Sequence, residues 1–455
     1  MSLFSFKMSA GRIAKIKEAV LARTEQAEPV EAWRIAQPLL KAARQVDAGR
    51  ALSELVRRGA FELSTGLVAA RILAEAHHAD VRVMSNLGRA FESLHDMRYL
   101  NAAPPDDPLL AKIVNTLRGL IESGAAANED EAIALHHGLG VAARVLGRSW
   151  DQVAERSERK LVELRGGDWR DLYGLGLFYK IRGRFDEGRD ANQRAFDSGG
   201  ADDESVRWNL GICATGARDT ETALKVWKSM GHEIEKGRFG LPEGSYHSVK
   251  VRLAERPLAE RNPGLGPDDP GLEESIWVER LSPCHGVVRS ALFQELGVDF
   301  GDVVLFDGAP ITYHEYGGGR VAVFPHLATL VRPGNRIWRF GGTQSQAEQI
   351  ADLSKLLPDD VVLYVHTEQY QVLCRSCWEA GRMSNDAHQE AEHRVVTGKL
   401  CAPPGTSPRA LLDQLDRLVA DAEGVQLLLP GLAKEAGDEA RAEVESRRLA
   451  MIDGA

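Results

Sequence analysis

The sequence predicts a multidomain protein in which an all-α helical-hairpin solenoid is followed by a β-rich and then α/β C-terminal region. Residues from about 10 to 235 are rich in Ala, Leu, Arg and Glu at helical spacing, and residues 172–231 repeat their own pattern after about 35 positions. A proline-rich stretch at 256–272 then precedes short β-rich runs. We therefore expect a helical repeat domain over 1–255, a linker over 256–272 and a third region over 273–455.

Composition restricts the classes of function. The 455 residues are 44% hydrophobic and 27% charged, which is ordinary for a globular protein. A formal charge of −10 argues against a general nucleic-acid binder, because such binding requires a basic face. No run approaches the ~18–20 apolar residues of a membrane span and the N-terminus lacks a secretory signal, so we expect a cytoplasmic protein. Five cysteines favour reduced thiols or a metal site over a disulfide framework.

The repeat within the helical region is a whole helical hairpin. Leu175 and Gly176 recur as Leu210 and Gly211, and the residues around each pair recur with them. The turn of the clearest copy contains Gly183, which suits the left-handed residue that ends a helix. Similar turns occur earlier in the chain, so we expect a stack of hairpins.

These residues carry a family resemblance. The segments Leu139-Gly140-x-x-Ala143, Leu175-Gly176-x-x-Tyr179 and Leu210-Gly211-x-x-Ala214 resemble the Leu-Gly-x-x-Tyr core of tetratricopeptide (TPR) repeats, best over residues 130–232. The resemblance implies that the first helix of each hairpin lines a concave groove that binds a partner protein or peptide. Counted from the Leu-Gly pairs, the groove residues are His137, Arg144, Arg170, Tyr173, Lys180, Trp208 and Asn209.

The chemistry of these groove residues predicts the kind of partner. Arginine and lysine offer charge-assisted hydrogen bonds and the aromatic rings offer rigid contact area, so we expect an acidic or carboxylate-bearing peptide. The alternative is that the long side chains only solvate a groove that a neighbouring domain or subunit fills.

A glycine motif at residues 138–143 fits the Gly-x-Gly-x-x-Ala fingerprint of dinucleotide binding. That fingerprint requires a strand before it, whereas residues 132–137 are predicted to be helical. We therefore expect these glycines to allow two helices to pack closely.

The C-terminal region is predicted to change from β to α/β. Short runs at 276–278, 287–288, 303–306, 311–316 and 321–324 predict strands. Two later segments predict strand, helix and strand in turn. The first has strands at 337–340 and 361–365 with a helix capped by Ser345 between them, and the second has a helix starting at Ser407-Pro408 before a strand at 425–429.

Two cysteines and two histidines predict a structural zinc site. Cys374 and Cys377 are spaced as a zinc knuckle, and His388 and His393 follow within about twenty residues to complete a tetrahedral set. Cys401 or His366 would serve as a substitute for one histidine. The competing interpretations are a pair of reduced thiols on a loop and a redox-active cysteine pair, which requires a helix directly after a strand.

Taken together, the sequence favours a protein-interaction scaffold with no catalytic residues of its own. The rival hypothesis is an enzyme with its active site in the C-terminal region and the helical array as a substrate-docking arm. Its candidate residues are Cys284, His285, His314 and His326. No complete catalytic constellation supports this rival, because adjacent residues of a strand point to opposite faces.

Overall fold

A computed structural model of the chain describes residues 8–101, 107–262, 271–380 and 390–453. The N-terminal half is an array of antiparallel helices, as predicted. The helices are α1 (Ala10–Glu25), α2 (Pro29–Lys41), α3 (Val46–Arg57), α4 (Leu63–Ala76), α5 (Val81–Asn101), α6 (Asp107–Glu122), α7 (Glu129–Leu146), α8 (Asp151–Leu164), α9 (Trp169–Ile181), α10 (Phe185–Ala195), α11 (Glu204–Gly216) and α12 (Thr220–Ser229).

The helix boundaries follow from local side-chain chemistry. Asn128, Asp168, Asp203 and Asp219 immediately precede α7, α9, α11 and α12, and each side chain accepts a hydrogen bond from a backbone N–H of the first turn. Gly183 follows α9 with a φ of 71°, which is the left-handed conformation that the repeat predicted there.

Helix packing divides the array into two layers. Along α3 to α12 each helix packs against the next in sequence, and the odd-numbered helices also pack together, α3 on α5, α5 on α7 and α9 on α11. The odd-numbered helices therefore line one face of the array.

The glycines of the dinucleotide-like motif serve close packing, as predicted. A Cβ built on Gly138 would lie 2.8 Å from the carbonyl oxygen of Ser85 on α5. A Cβ on Gly88 would lie 2.5 Å from the carbonyl oxygen of Gly138. Both distances are impossible for a side chain, so these positions on α5 and α7 require glycine.

The middle of the chain forms a closed barrel. A small hairpin of β1 (Ile234–Lys236) and β2 (Pro242–Gly244) precedes it. Its strands are β3 (Val249–Ala254), β4 (Glu273–Arg280), β5 (His285–Val288), β6 (Val303–Phe306), β7 (Thr312–Tyr316) and β8 (Gly319–Val331). The barrel sheet has the order β3-β4-β5-β6-β8-β7, and a parallel pairing of β3 with β8 closes it.

This barrel corrects the predicted domain boundary. Strand β3 lies inside the segment assigned to the helical domain, yet it pairs with β4 and β8. The residues predicted to link two domains at 256–272 instead join two neighbouring strands of one barrel. Their described part, 256–262, packs against the array, with Arg148 donating a hydrogen bond to the carbonyl oxygen of Arg261 at 2.8 Å. The array therefore gives way to strands at Ile234.

The last part of the chain is a four-stranded sheet with helices. Its elements are β9 (Arg336–Gln344), α13 (Gln349–Leu353), β10 (Val362–Cys374), α14 (Arg375–Ala380), β11 (Glu390–Ala402), α15 (Pro408–Ala420), β12 (Gln426–Leu428), α16 (Pro430–Glu435) and α17 (Glu439–Asp453). The strand order is β10-β11-β9-β12, and every neighbouring pair is antiparallel. Helices α13 and α15 form the two crossovers, which is the split βαβ arrangement of ferredoxin-like folds. The predicted α/β layering is therefore present.

Two helices were predicted in this region, and the sequence predicted the start of α15 correctly but not the start of α13. Ser407 caps α15 by accepting from the N–H of Ala410, as predicted. Helix α13 instead starts at Gln349, because the side chain of Gln349 accepts hydrogen bonds from the backbone N–H of Gln346 and the hydroxyl of Ser345. These bonds hold Ser345 outside the helix.

Buried ion pairs join the barrel to the units on either side of it. Lys180 of α9 lies 2.8 Å from a carboxylate oxygen of Asp307, and its side chain is only 5% exposed. Lys399 of β11 lies 2.7 Å from Asp299 and is 7% exposed. Each pair contains a lysine from a flanking unit and an aspartate from the barrel region.

We predict that the Lys180–Asp307 pair stabilises the junction only as a pair. Replacing Lys180 by Met leaves Asp307 buried without its cation and should lower the free energy of unfolding by about 3–5 kcal/mol. The double variant Lys180→Met, Asp307→Leu should recover most of that loss, because both charges are gone. Urea unfolding of the wild type, both single variants and the double variant measures the coupling. Additive single-variant effects would contradict it.

Candidate functional site

Four arginines converge on one histidine on the odd-numbered face of the array. His137 lies on α7, and its pKa is lowered to about 3 by burial first and then by the charges of Arg89, Arg144, Arg165 and Arg57. The imidazole is therefore neutral at physiological pH. These five side chains come from α3, α5, α7 and the end of α8, and we call them the arginine cluster.

One member of the arginine cluster has unused hydrogen-bonding capacity. Arg57 has its Nε atom buried with no hydrogen-bond partner. Burial is the main cause that lowers the pKa of Arg89, and the charge of Arg57 acts in the same direction. Among the side chains that the structure describes, neither guanidinium forms an ion pair within 4.0 Å. An incoming anion stabilises cations that are disfavoured by burial and by mutual repulsion.

The carboxylates near the cluster balance only part of its charge. Arg144 pairs with Glu92 at 3.4 Å, but Glu92 is 54% exposed, so this pair contributes little. Arg165 pairs with Asp171 at 3.1 Å. Burial raises the pKa of Glu158 to about 7, so its carboxyl group is only partly ionised near neutral pH. The cluster therefore keeps a net positive charge.

Two of the predicted groove residues belong to this cluster, and two more lie on α9. The two in the cluster are His137 and Arg144. Arg170 is exposed at the start of α9, where its guanidinium stacks 4.4 Å from the ring of Trp169. Tyr173 is half-buried, and burial raises the pKa of its hydroxyl. Their role in binding a partner stays a prediction.

The other three predicted groove residues lie at the junction with the barrel of the same chain, where Lys180 and Trp208 contact it directly. Lys180 is held by Asp307 and by the side-chain oxygen of Asn209, at 2.8 Å each. Trp208 packs on Gly308, where a Cβ would lie 2.8 Å from the indole ring. At this end of the array the groove is filled by a neighbouring domain, which is the alternative that the sequence left open. The surface open to a partner lies toward α3, α5 and α7.

Sequence reasoning missed three of the four arginines. Arg89 directly follows the Leu87-Gly88 pair, whereas the count used for the later repeats selects positions such as two before and five after the leucine, which are Ser85 and Glu92 here. Arg57 ends α3, where no Leu-Gly pair marks the register. Arg165 follows α8, which belongs to the other layer, so only the structure brings it to this face.

The residues of the rival catalytic hypothesis do not form an accessible active site, although the hydroxyl of Ser282 contacts both Cys284, at 3.8 Å, and His285. Cys284, His285 and His326 are fully buried. His285 contacts the hydroxyl of Ser282 through Nδ1, and His326 contacts Thr329 through Nε2 at 3.2 Å. Burial raises the pKa of Cys284 to about 11, which is the opposite of what a nucleophilic thiolate requires.

The structure describes three of the four predicted zinc ligands. Cys374 ends β10, Cys377 is buried in α14, and His393 lies on β11, while His388 lies outside the described residues. His393 is opposite Gln371, three positions from Cys374, and an odd offset along a strand places the two side chains on opposite faces. Within the described ranges no group of three or more His, Cys, Asp and Glu side chains is arranged to hold a metal ion. The zinc site stays a prediction.

The two substitute zinc ligands are wrong. His366 is eight positions before Cys374 on β10, about 25 Å along an extended strand. Cys401 is opposite Val362, at the same far end of the hairpin. The competing redox interpretation required a helix directly after a strand, and α14 does follow β10, with its described part spanning Arg375–Ala380.

Comparisons with known proteins identify only solved structures that resemble the helical array. No protein-family model and no curated protein matches the chain. The MamA protein is 16% identical with a TM-score of 0.29, over 43% of this chain and 88% of that one. YrrB, described as a TPR protein with an unusual peptide-binding site, is 15% identical with a TM-score of 0.29, over 42% and 90%. A tetratricopeptide repeat protein from Parabacteroides merdae ATCC 43184 is 14% identical with a TM-score of 0.32, over 48% and 78%.

The helical array is TPR-like in its repeat spacing and in the pairing of its helices. In the part of the chain that the structure describes, no helix is both long enough and apolar enough to cross a bilayer.

Buried neutral histidines predict that the protein loses stability in acid. Burial lowers the pKa of His285 and of His326 to about 3, below the ~6.5 of an unfolded chain. Between these pH values the unfolded state binds more protons, so the free energy of unfolding falls as the pH drops below about 6.5, by up to about 1.4 kcal/mol per pH unit for each histidine. Urea unfolding from pH 8 to pH 5 measures the slope.

His285→Gln should reduce that slope by the contribution of one histidine, and the exposed His78 changed to Gln serves as the control. An unchanged slope in His285→Gln would mean that this imidazole is not held neutral by the fold.

The zinc prediction is tested by metal analysis of the full-length protein. If Cys374, Cys377, His388 and His393 bind zinc, one equivalent should co-purify, and Cys374→Ser should release it. Cys401→Ser, at the far end of the same hairpin, is the matched control. Metal-free wild-type protein that chelator leaves unchanged would rule the site out.

Proposed function

We propose that this chain is a protein-interaction scaffold whose helical array binds an acidic segment of a partner protein at the arginine cluster. The observation that carries the proposal is the convergence of Arg57, Arg89, Arg144 and Arg165 around the neutral His137. This proposal keeps the acidic partner expected from the sequence and moves its binding site away from Lys180 toward α3, α5 and α7.

The energetics favour a carboxylate ligand at this position. Arg57 and Arg89 are half-buried, so they have already lost part of their hydration before a ligand binds. Guanidinium groups bind carboxylates through paired, charge-assisted hydrogen bonds, which are stronger than neutral ones. The exposed carboxylate of Glu92 already contacts Arg144 at 3.4 Å, and a partner carboxylate would replace it at little cost.

The position of the cluster favours an extended protein segment over a small anion. Three of its arginines, Arg57, Arg89 and Arg144, come from the successive odd-numbered helices α3, α5 and α7, so they follow the axis along which these helices stack. Side chains from successive hairpins read successive residues of a bound segment, as expected for a repeat array. Arg170 and Tyr173 extend the same surface toward the barrel.

The proposal predicts that Arg89 and Arg144 determine affinity for acidic peptides. The double variant Arg89→Gln, Arg144→Gln should bind a labelled peptide of alternating glutamate and leucine at least about tenfold more weakly than the wild type, because charge-assisted hydrogen bonds are lost. Fluorescence anisotropy at several salt concentrations should also show a shallower salt dependence for the variant.

The matched controls are a protein variant and a peptide. Arg194→Gln removes an exposed arginine on α10, in the other layer of the array, and should change affinity less than twofold. The same peptide with glutamine in place of glutamate should not bind. Equal binding of the acidic peptide by the double variant and the wild type, with circular dichroism unchanged, would refute the proposed site.

A further inference from the structure

The outer face of the barrel carries aromatic and cationic side chains that the array does not cover. Cross-strand pairing places Trp277 of β4 opposite Lys250 of β3, Lys250 opposite Val323 of β8, and Val323 opposite Thr312 of β7. Residues that pair directly across neighbouring strands share one face of a sheet. His314 and Tyr316 lie on that face too, two and four positions beyond Thr312.

Side-chain contacts confirm that these residues meet. The rings of Trp277 and Tyr316 lie 5.6 Å apart, edge to face. The pKa of His314 is lowered by partial burial and by the charges of Lys250 and Arg252, so both cations are close to its ring. We call Lys250, Arg252, Trp277, His314 and Tyr316 the basic-aromatic face.

The charge on this face is not neutralised by its neighbours. Arg252 donates a hydrogen bond to the hydroxyl of Ser275 at 3.4 Å, which is a neutral partner. Among the described side chains neither Lys250 nor Arg252 has a carboxylate within 4.0 Å. Glu279 is on the same face of β4, but Arg238 and Arg289 both bind it.

The aromatic rings remain open to solvent. Tyr316 is 62% exposed and Trp277 is half-buried. Large aromatic side chains at the surface of a barrel, next to unpaired cations, match the requirements of a ligand that has both flat rings and negative charge.

We propose that the basic-aromatic face binds single-stranded nucleic acid. Unstacked bases would stack on Tyr316 and Trp277, and Lys250 and Arg252 would contact the phosphates. An acidic peptide offers the charge but no flat rings, and duplex DNA keeps its bases stacked within the helix. The formal charge of −10 is compatible with this proposal, because the positive charge is local and the binding is confined to a few nucleotides.

The opposite face of the same hairpin provides a matched control. Tyr313 and Arg320 lie on β7 and β8, and the guanidinium stacks 4.7 Å from the tyrosine ring. Tyr313 is 50% exposed and Tyr316 is 62% exposed, but Tyr313 alternates with Thr312 and His314 and points away from the basic-aromatic face.

The test is fluorescence anisotropy of the full-length protein with labelled oligothymidine and oligouridine about 12 nucleotides long. The wild type should bind both. Trp277→Ala with Tyr316→Ala should weaken binding at least about tenfold through lost stacking. Lys250→Gln with Arg252→Gln should reduce the slope of log affinity against log salt by about 1.4, since each phosphate contact contributes about 0.7 for single strands. Tyr313→Ala with Arg320→Gln should bind as the wild type does.

Four results would overturn the proposal. They are no binding at low salt, equal binding of polyglutamate, equal binding of a duplex, and an equal loss of affinity in the Tyr313/Arg320 control. If the alanine variant does not fold, quenching of tryptophan fluorescence decides. Oligothymidine should quench the wild type more than Trp277→Phe, and equal quenching in the two proteins would refute stacking on Trp277. Failure of this face leaves the arginine cluster unaffected, because different residues on a different unit bind there.

Discussion

The architecture depends on burying a lysine of one unit against an aspartate of the barrel. At the array junction Lys180 meets Asp307, and at the sheet junction Lys399 meets Asp299. A buried charge without its partner is strongly unfavourable, so any docking of the units that buries the lysine or the aspartate away from its partner is disfavoured. Such pairs specify how units dock more than they add stability. The barrel therefore positions both neighbours, and the array begins its open surface only where the barrel contacts end.

This constraint explains why the two proposed binding surfaces do not overlap. The residues of α9 and α11 nearest the barrel are committed to it through Lys180, Asn209 and Trp208. The arginine cluster lies on earlier helices, where no barrel residue among those described supplies a counter-charge within 4.0 Å. The basic-aromatic face is on strands β3, β4 and β7, and in the described parts of the chain its cations have no carboxylate within 4.0 Å either. In both places the chain has kept positive charge despite its acidic composition.

The sequence predicted those parts of the fold that local periodicity determines. The Leu-Gly repeat spacing predicted the hairpin array, and Ser407-Pro408 predicted the start of α15, since both signals act within a few residues. Strand β3 was missed although Val249, Val251 and Leu253 alternate with polar residues, because prolines after it suggested a linker. No local pattern indicates that β3 closes a barrel with β8, which lies some seventy positions later.

In the candidate site, too, local sequence patterns predicted some residues, and long-range packing determined the others. His137 and Arg144 followed from counting along a repeat, whereas Arg57 and Arg165 reach the cluster only through the packing of α3 and α8. Lys180 was placed on the correct face, but its partner Asp307 is more than a hundred positions away. Because ion pairs between distant segments leave no periodic signal, the sequence could not distinguish a lysine available to a partner from one already used within the chain.

The connection between β3 and β4 determines where the chain can be cut into two fragments. A fragment ending at residue 255 would carry β3 away from both strands that flank it and expose two unpaired edges, which promote aggregation. A fragment starting at 273 would lack the strand that closes the barrel. Two complementary fragments cut between these positions would instead share one barrel, each holding part of its sheet, and would be expected to reassemble. The proline-rich connection is thus a natural site for a split protein whose halves recognise each other through strand pairing.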